Sequence, residues 1–302
     1  WMFRRVGAGC GRAAVVWLAS VCAAPVCLAG SYTNSATGNW DADASWTGAK
    51  PVAGGASDAV IVFSPAGTDV STNNLAGTFS LNRLEFASGT VTVSGNAFSF
   101  NNNGATGPTV VNASGNAAVI KNNMVLAGET TFGAASDITV SGAVSGSGAL
   151  VKTGAGNLTL ATNRTYTGST TVSAGTLTIN TVTNSASMSS TNFLIQGGAT
   201  MRVLAGPSVN GLNPPSTAVF TLQTNATLFS DVPTIHCGTL NAATGATVDG
   251  QFANGGCLSL HATDSGSQVV ASLGALTFKR LILEPYSVVN PTQTVRYDGT
   301  GA

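Results

Sequence analysis

The sequence predicts an all-β chain wound into a right-handed parallel β-solenoid (a β-helix) with an N-terminal cap. Three observations carry that expectation. First, Gly-x-apolar-x-apolar recurs: Gly77-Thr78-Phe79-Ser80-Leu81, Gly89-Thr90-Val91-Thr92-Val93, Gly156-Asn157-Leu158-Thr159-Leu160, Gly175-Thr176-Leu177-Thr178-Ile179, Gly256-Cys257-Leu258-Ser259-Leu260 and Gly274-Ala275-Leu276-Thr277-Phe278. Looser copies stand at 197–203 and 238–242. Second, each copy has period two, with apolar side chains on one side and mostly Thr or Ser on the other, the pattern of a half-buried strand. Third, the copy at Gly156 is echoed nineteen residues later at Gly175. A strand that returns about every twenty residues is how stacked solenoid turns are written.

Composition agrees. Only 8% of the 302 residues are charged, 43% are hydrophobic, and the apolar residues are spread evenly, as a long thin core requires. Glu and Lys are too rare to build long helices, and the chain is too rich in Val, Leu and Ile for a disordered one. A formal net charge of zero gives no reason to expect nucleic acid or an acidic lipid surface as partner.

Along the chain, residues 1–29 read as a signal peptide: Arg4, Arg5 and Arg12 precede the apolar run 13–28, and Ala29 is the expected cut site. The run is interrupted by Pro25 and falls short of the roughly 20 residues needed to span a bilayer, so the mature chain is expected to have no stable transmembrane segment. Val21 and Val26 before Cys22 and Cys27 argue against a lipoprotein. Cleavage would leave nine basic and twelve acidic residues, a net charge of about −3, and only Cys237 and Cys257. Trp1 precedes Met2, so the natural start is expected at Met2 or upstream and the chain is expected to be incomplete.

Residues 30–75 form the expected cap and first turns, with Trp40 and Trp46 closing the end of the core, which a solenoid needs because its first turn otherwise bares a strand edge. Residues 76–184 are the expected solenoid body, with Gly, Asn, Ser and Ala at its corners. Residues 185–215 break the rhythm, and Asn213-Pro214-Pro215 marks a loop or joint because proline cannot donate to a strand ladder. Residues 216–302 continue the solenoid to its C-terminal end. At 20–23 residues per turn the chain makes roughly a dozen turns, a rod roughly 60 Å long.

The stretch 150–180 also carries a resemblance. Leu150, Lys152, Gly154, Gly156, Leu158 and Leu160, then Asn163, Tyr166, Gly168, Thr170, Val172, Gly175 and Leu177, follow the pattern of the autotransporter-associated β-strand repeat, with Arg164 and Thr165 filling the gap before Tyr166. One inserted residue there departs from the pattern. The Asn39-Trp40-Asp41, Trp46, Pro51 and Asp58 opening resembles the N-terminal region of exported proteins that carry the repeat, and 276–290 resembles their closing turns. The resemblance implies a bacterial protein, exported to the cell surface or released from it. In one branch of the family it also implies a C-terminal β-barrel. No closing run of barrel strands or hydrophobic anchor is legible after Asn290, so the chain is expected to be truncated or to belong to barrel-less exported proteins.

Chemistry is thinly represented. A β-helix lyase or hydrolase needs acids stacked on neighbouring turns. Asp231, Asp249 and Asp264 have suitable spacings, and Asp41 and Asp43 share parity, but twelve scattered acids produce such coincidences by chance, and solvated turn residues are the plainer reading. Cys237 and Cys257, twenty residues apart, suit a disulfide between stacked turns, worth about 3 kcal/mol by loop entropy. The alternatives are free thiols or a metal set of His236, Cys237, Cys257 and His261. Nucleophile elbows, zinc-protease signatures, phosphate loops and dinucleotide fingerprints are absent from the sequence. We therefore expect no catalytic, cofactor-binding or metal residues, no cofactor, and a structural or adhesin-like role. Surface polysaccharide or other cell-surface components are the partners considered. The rival expectations are a carbohydrate-active β-helix enzyme using the three acids, and a passive polysaccharide-binding module presenting Trp40, Trp46 or Tyr166.

Overall fold

A computed structural model describes residues 30–180, 188–204 and 211–230 apart from 213 and 216, and beyond 230 the backbone of the strands together with Ala246. Its strands are short because the sequence alternates apolar and hydroxyl residues for only three to six positions before a glycine or asparagine turns the chain. Among the described residues the one helical element is a 3₁₀ turn, Asp43–Ser45.

The strands sort into long sheets that run the length of the molecule. A thirteen-stranded sheet and a ten-stranded sheet form two faces, and a four-stranded sheet of Phe79–Leu81, Phe98–Phe100, Met124–Leu126 and Val144–Ser145 forms a third. In the turns between Val60 and Ser145 the chain gives one strand to each face in succession. Arg83–Phe86, Thr90–Gly95 and Phe98–Phe100 make one turn; Thr109–Asn112, Ala118–Ile120 and Met124–Leu126 stack on it in parallel register. Among the described strands the pairings are parallel except at the first edge, where Trp46–Thr47 runs antiparallel to Ser31–Asn34. The expected β-solenoid is the observed fold.

Turn length is twenty residues where Thr131, Val151 and Thr171 pair in succession. Elsewhere it is longer: Ser31 pairs with Val60, and Leu194 with Thr221. The extra residues fall between strands, where they lengthen corners without disturbing register. The span 185–215 is the one expected as a loop or joint. Strands Asn192–Ile195 and Thr200–Leu204 lie within it and extend the two longer sheets in register.

Register turns the period-two pattern into continuous inner columns. Ile61, Leu84, Val110 and Phe132 stack along one face, and Val91, Ala118, Ile138, Leu158, Leu177, Met201 and Leu228 along the second. Phe79, Phe98, Met124 and Val144 line the third. All are buried and belong to one core. At ~1.5–3 kcal/mol for each fully buried aliphatic or phenylalanine side chain, these columns are the main source of stability. Aromatic stacking adds to them: Phe193 and Phe220, register partners, lie 4.2 Å apart with rings 6° from parallel.

The first three turns share an aromatic cluster. Trp40 is fully buried and meets Trp46 edge-on at 5.4 Å, Phe79 edge-on at 5.2 Å and Phe98 at 5.6 Å. Both indole N–H groups are satisfied, Trp40 Nε1 donating to Ser71 Oγ at 2.9 Å and Trp46 Nε1 to the Trp40 carbonyl at 3.0 Å. Among the described residues, the first two turns also carry the least satisfied interior. Both amide atoms of Asn34 and both carboxylate oxygens of Asp69 are buried without a hydrogen-bond partner. Burial pushes the Asp69 carboxyl above its ordinary pKa, against the weaker opposing pull of the nearby Thr37 hydroxyl and Val70 amide.

Candidate functional site

The stretch 150–180 departs most from an apolar solenoid interior, because two cations stand in the inner columns. Lys152 follows Phe132 and precedes Val172 in one column, and Arg164 is bridged to Val144 and Met188 in another. Both are buried to within 1%. Strand Leu150–Thr153 alternates so that Leu150 and Lys152 both point inward. The third face, a full strand at Val144–Ser145, narrows to a single bridging residue at Arg164.

Each cation is held by backbone oxygen. Lys152 Nζ donates to the carbonyls of Thr153 at 2.8 Å, Gly154 at 2.7 Å and Ala174 at 3.0 Å. The first two acceptors belong to its own turn and the third to the next, so the ammonium joins two turns at one corner. Charge-assisted bonds of this kind use all three donors of an ammonium. Burial nevertheless lowers the Lys152 pKa to about 8, with Asp137 opposing the shift. Arg164 donates from one guanidinium nitrogen to the carbonyls of Thr162 at 2.5 Å and Leu160 at 3.3 Å, and burial lowers its pKa to about 10 against the influence of Tyr166.

Tyr166 completes the cluster. Its hydroxyl lies 2.7 Å from Thr170 Oγ1, Thr170 donates to Ser190 Oγ at 3.2 Å, and Ser190 donates to the Asn192 carbonyl at 3.3 Å. This chain of hydroxyls crosses from one turn to the next inside the core. Burial raises the Tyr166 pKa to about 12, outweighing the Thr170 hydrogen bond and the Arg164 cation. Close backbone approach explains the glycines. At Gly175, φ is +64° and an added Cβ would lie 2.5 Å from the Gly154 carbonyl oxygen. These groups are buried and bonded to backbone oxygens or to one another, and the bonds from Lys152 to Ala174 and from Thr170 to Ser190 tie adjacent turns together.

The comparisons with known proteins bear on this same stretch. Residues 150–179 match a family model described as the passenger-associated-transport-repeat. The match coincides with the resemblance carried by Leu150 through Leu177. No curated protein and no solved structure matches the chain.

The residues singled out from sequence fall in three groups. Trp40, Trp46 and Tyr166, considered as exposed rings for sugar, are buried in the core. Asp41 and Asp43 are exposed, and Asp43 pairs with Lys50 at 2.7 Å. Asp249 ends strand Thr247–Asp249 beside Phe229, whereas Asp231 and Asp264 lie outside the described residues. Cys237 and Cys257 lie outside them too, while His236 and His261 are register partners on parallel strands. Among the described residues no group of three or more His, Cys, Asp or Glu side chains is placed to hold a metal, and no helix is long and apolar enough to cross a membrane.

Sequence reasoning missed the inward cations. Lys152 was legible as a repeat position, but a lysine in a strand reads as solvent-facing. Its parity with Leu150 was the available signal. Arg164, read as filler in the gap before Tyr166, is instead an inner-column residue, because the third face needs an inward side chain at that corner.

Proposed function

We propose that this is an exported, non-catalytic β-solenoid of a bacterial cell surface, a structural or adhesin-like passenger that forms a stiff projecting rod. One observation carries the reading: the passenger-associated-transport-repeat match lies inside, and in register with, an uninterrupted stack of parallel strands. Such a stack satisfies its backbone hydrogen bonds between turns and gives proteases few flexible loops. The cluster of Trp40, Trp46, Phe79 and Phe98, drawn from the first three turns, serves as its N-terminal cap. Export proceeds through cleavage after Ala29, which suits the signal-like segment 1–29.

The test is cell fractionation of the native host, with surface proteolysis and mass spectrometry of the mature N-terminus. Recovery at the outer surface or in the medium, beginning at Gly30, is the expected result. A cytoplasmic protein that keeps residues 1–29 overturns the proposal. Polysaccharide turnover by the purified chain overturns its non-catalytic part.

A further inference from the structure

Outside the core, one surface feature stands apart from the plain hydroxyl face of the solenoid. On the ten-stranded sheet, Thr176, Thr200 and Thr227 are register partners on successive turns and form a straight outward row. Beside it runs a second row in which Thr178, Arg202 and Phe229 are register partners, and the guanidinium carbon of Arg202 stands 4.9 Å from the Phe229 ring centroid. The two rows enclose an open depression of about 340 Å³ with the threonines as floor and the Arg202–Phe229 pair as wall. Arg202 is exposed and Phe229 half-buried. The next turn adds Thr247 to the first row and Asp249 to the second.

The floor differs from the same row one turn earlier. There Asn157 is engaged, donating its side-chain amide to Thr159 and accepting from Thr178. Among the described residues no hydrogen bond engages the hydroxyls of Thr176, Thr200 and Thr227. Three hydroxyls therefore retain donor and acceptor capacity at the turn spacing of ~4.7–4.9 Å.

We propose that this depression binds an extended, neutral, hydroxyl-rich polysaccharide lying along the solenoid axis, with Thr176, Thr200 and Thr227 bonding successive sugars and the Arg202–Phe229 pair flanking them. The chemistry selects this ligand class. An extended β-linked glycan advances by a distance close to the turn spacing, so one sugar meets each threonine. Sugar hydroxyls match hydroxyl groups that both donate and accept. The apolar faces of the sugars meet the Phe229 ring and the threonine methyls. Arg202 is the one charged residue among those lining the depression, which suits a neutral chain rather than a polyanion.

The inference gives the adhesive reading above its ligand, and its test is independent of where the protein resides. Isothermal titration of the full chain against linear hexasaccharides of β-1,4-linked glucose and β-1,4-linked N-acetylglucosamine is the measurement. Binding of at least one is expected. The double variant Thr200→Val, Thr227→Val keeps the β-branched shape and is expected to weaken it about tenfold or more, the scale of a lost hydrogen bond. The control Thr131→Val, Thr171→Val alters outward threonines of the thirteen-stranded sheet and is expected to leave affinity within about twofold. Circular dichroism melts of both variants confirm the fold. Binding to neither hexasaccharide overturns the proposal, as does equal affinity in the first double variant. Failure here removes the site and leaves surface display to the fractionation result.

Discussion

At the scale of single residues, the interior charges define how this solenoid responds to pH. Lys152 holds its proton less tightly when folded than when unfolded, its pKa falling to about 8. A base depressed in this way binds fewer protons in the native state between that value and its ordinary one near ~10.4. Stability therefore rises as pH climbs from about 8 towards ~10, and the gain is lost again as pH falls through the folded pKa. Thermal melts of the wild type and Lys152→Met from neutral to alkaline pH check this: the wild type is expected to gain relative to the variant over that window, and parallel profiles would place the ammonium in water. Asp69 has the opposite sign. Its folded pKa is raised, so the stability it contributes is present in acid, below ~3.9, and is lost as pH rises through the folded value. Asp69→Asn is expected to melt higher than the wild type at pH 7 and with it at pH 3.

At the scale of elements, corners control register as much as strands do. The corner between Thr170–Val172 and Thr176–Asn180 brings Gly175 over Gly154 and Gly156, whose carbonyl oxygens lie 2.5 and 2.6 Å from where a Cβ would stand. Gly175→Ala is expected to cost about 1–3 kcal/mol from its φ of +64° alone, with the overlap adding to that, measured by urea denaturation. The strands after Gly156 and Gly175 were legible because alternation there is strict, and their predicted echo is an observed pairing, Leu158 against Leu177. The third face was not legible. It passes from short strands to the single bridging residues Arg164 and Met188, too brief for any period to register. The depression at Arg202 was illegible for a related reason. Its residues come from three strands, separated by 24 and 27 positions, and only register brings Thr176, Thr200 and Thr227 into line. By contrast, burial of the tryptophans followed from the need to close the first turn, and the structure places both rings inside.

At the scale of the whole molecule, the fold is a one-dimensional stack in which each turn contacts the turns beside it. Its energy then approximates a sum of turn stabilities and nearest-neighbour interfaces, so damage is expected to stay local. Leu158 is fully buried and stands between Ile138 and Leu177 in the second inner column. Leu158→Ala removes those contacts and leaves a cavity, a loss of about 2–5 kcal/mol. A globular core would spread that loss over every element. Here hydrogen exchange is expected to quicken in Ile138–Val140, Asn157–Leu160 and Thr176–Asn180, whereas Val60–Phe63 and Arg83–Phe86, several turns away, keep their protection. Uniform loss of protection would mean that the stack unfolds as one unit, and that the Lys152 and Tyr166 links between turns carry cooperativity far beyond their own corner. The local result would instead fit a rod that tolerates a damaged turn while its remaining length stays folded, the mechanical property that the proposed surface role needs.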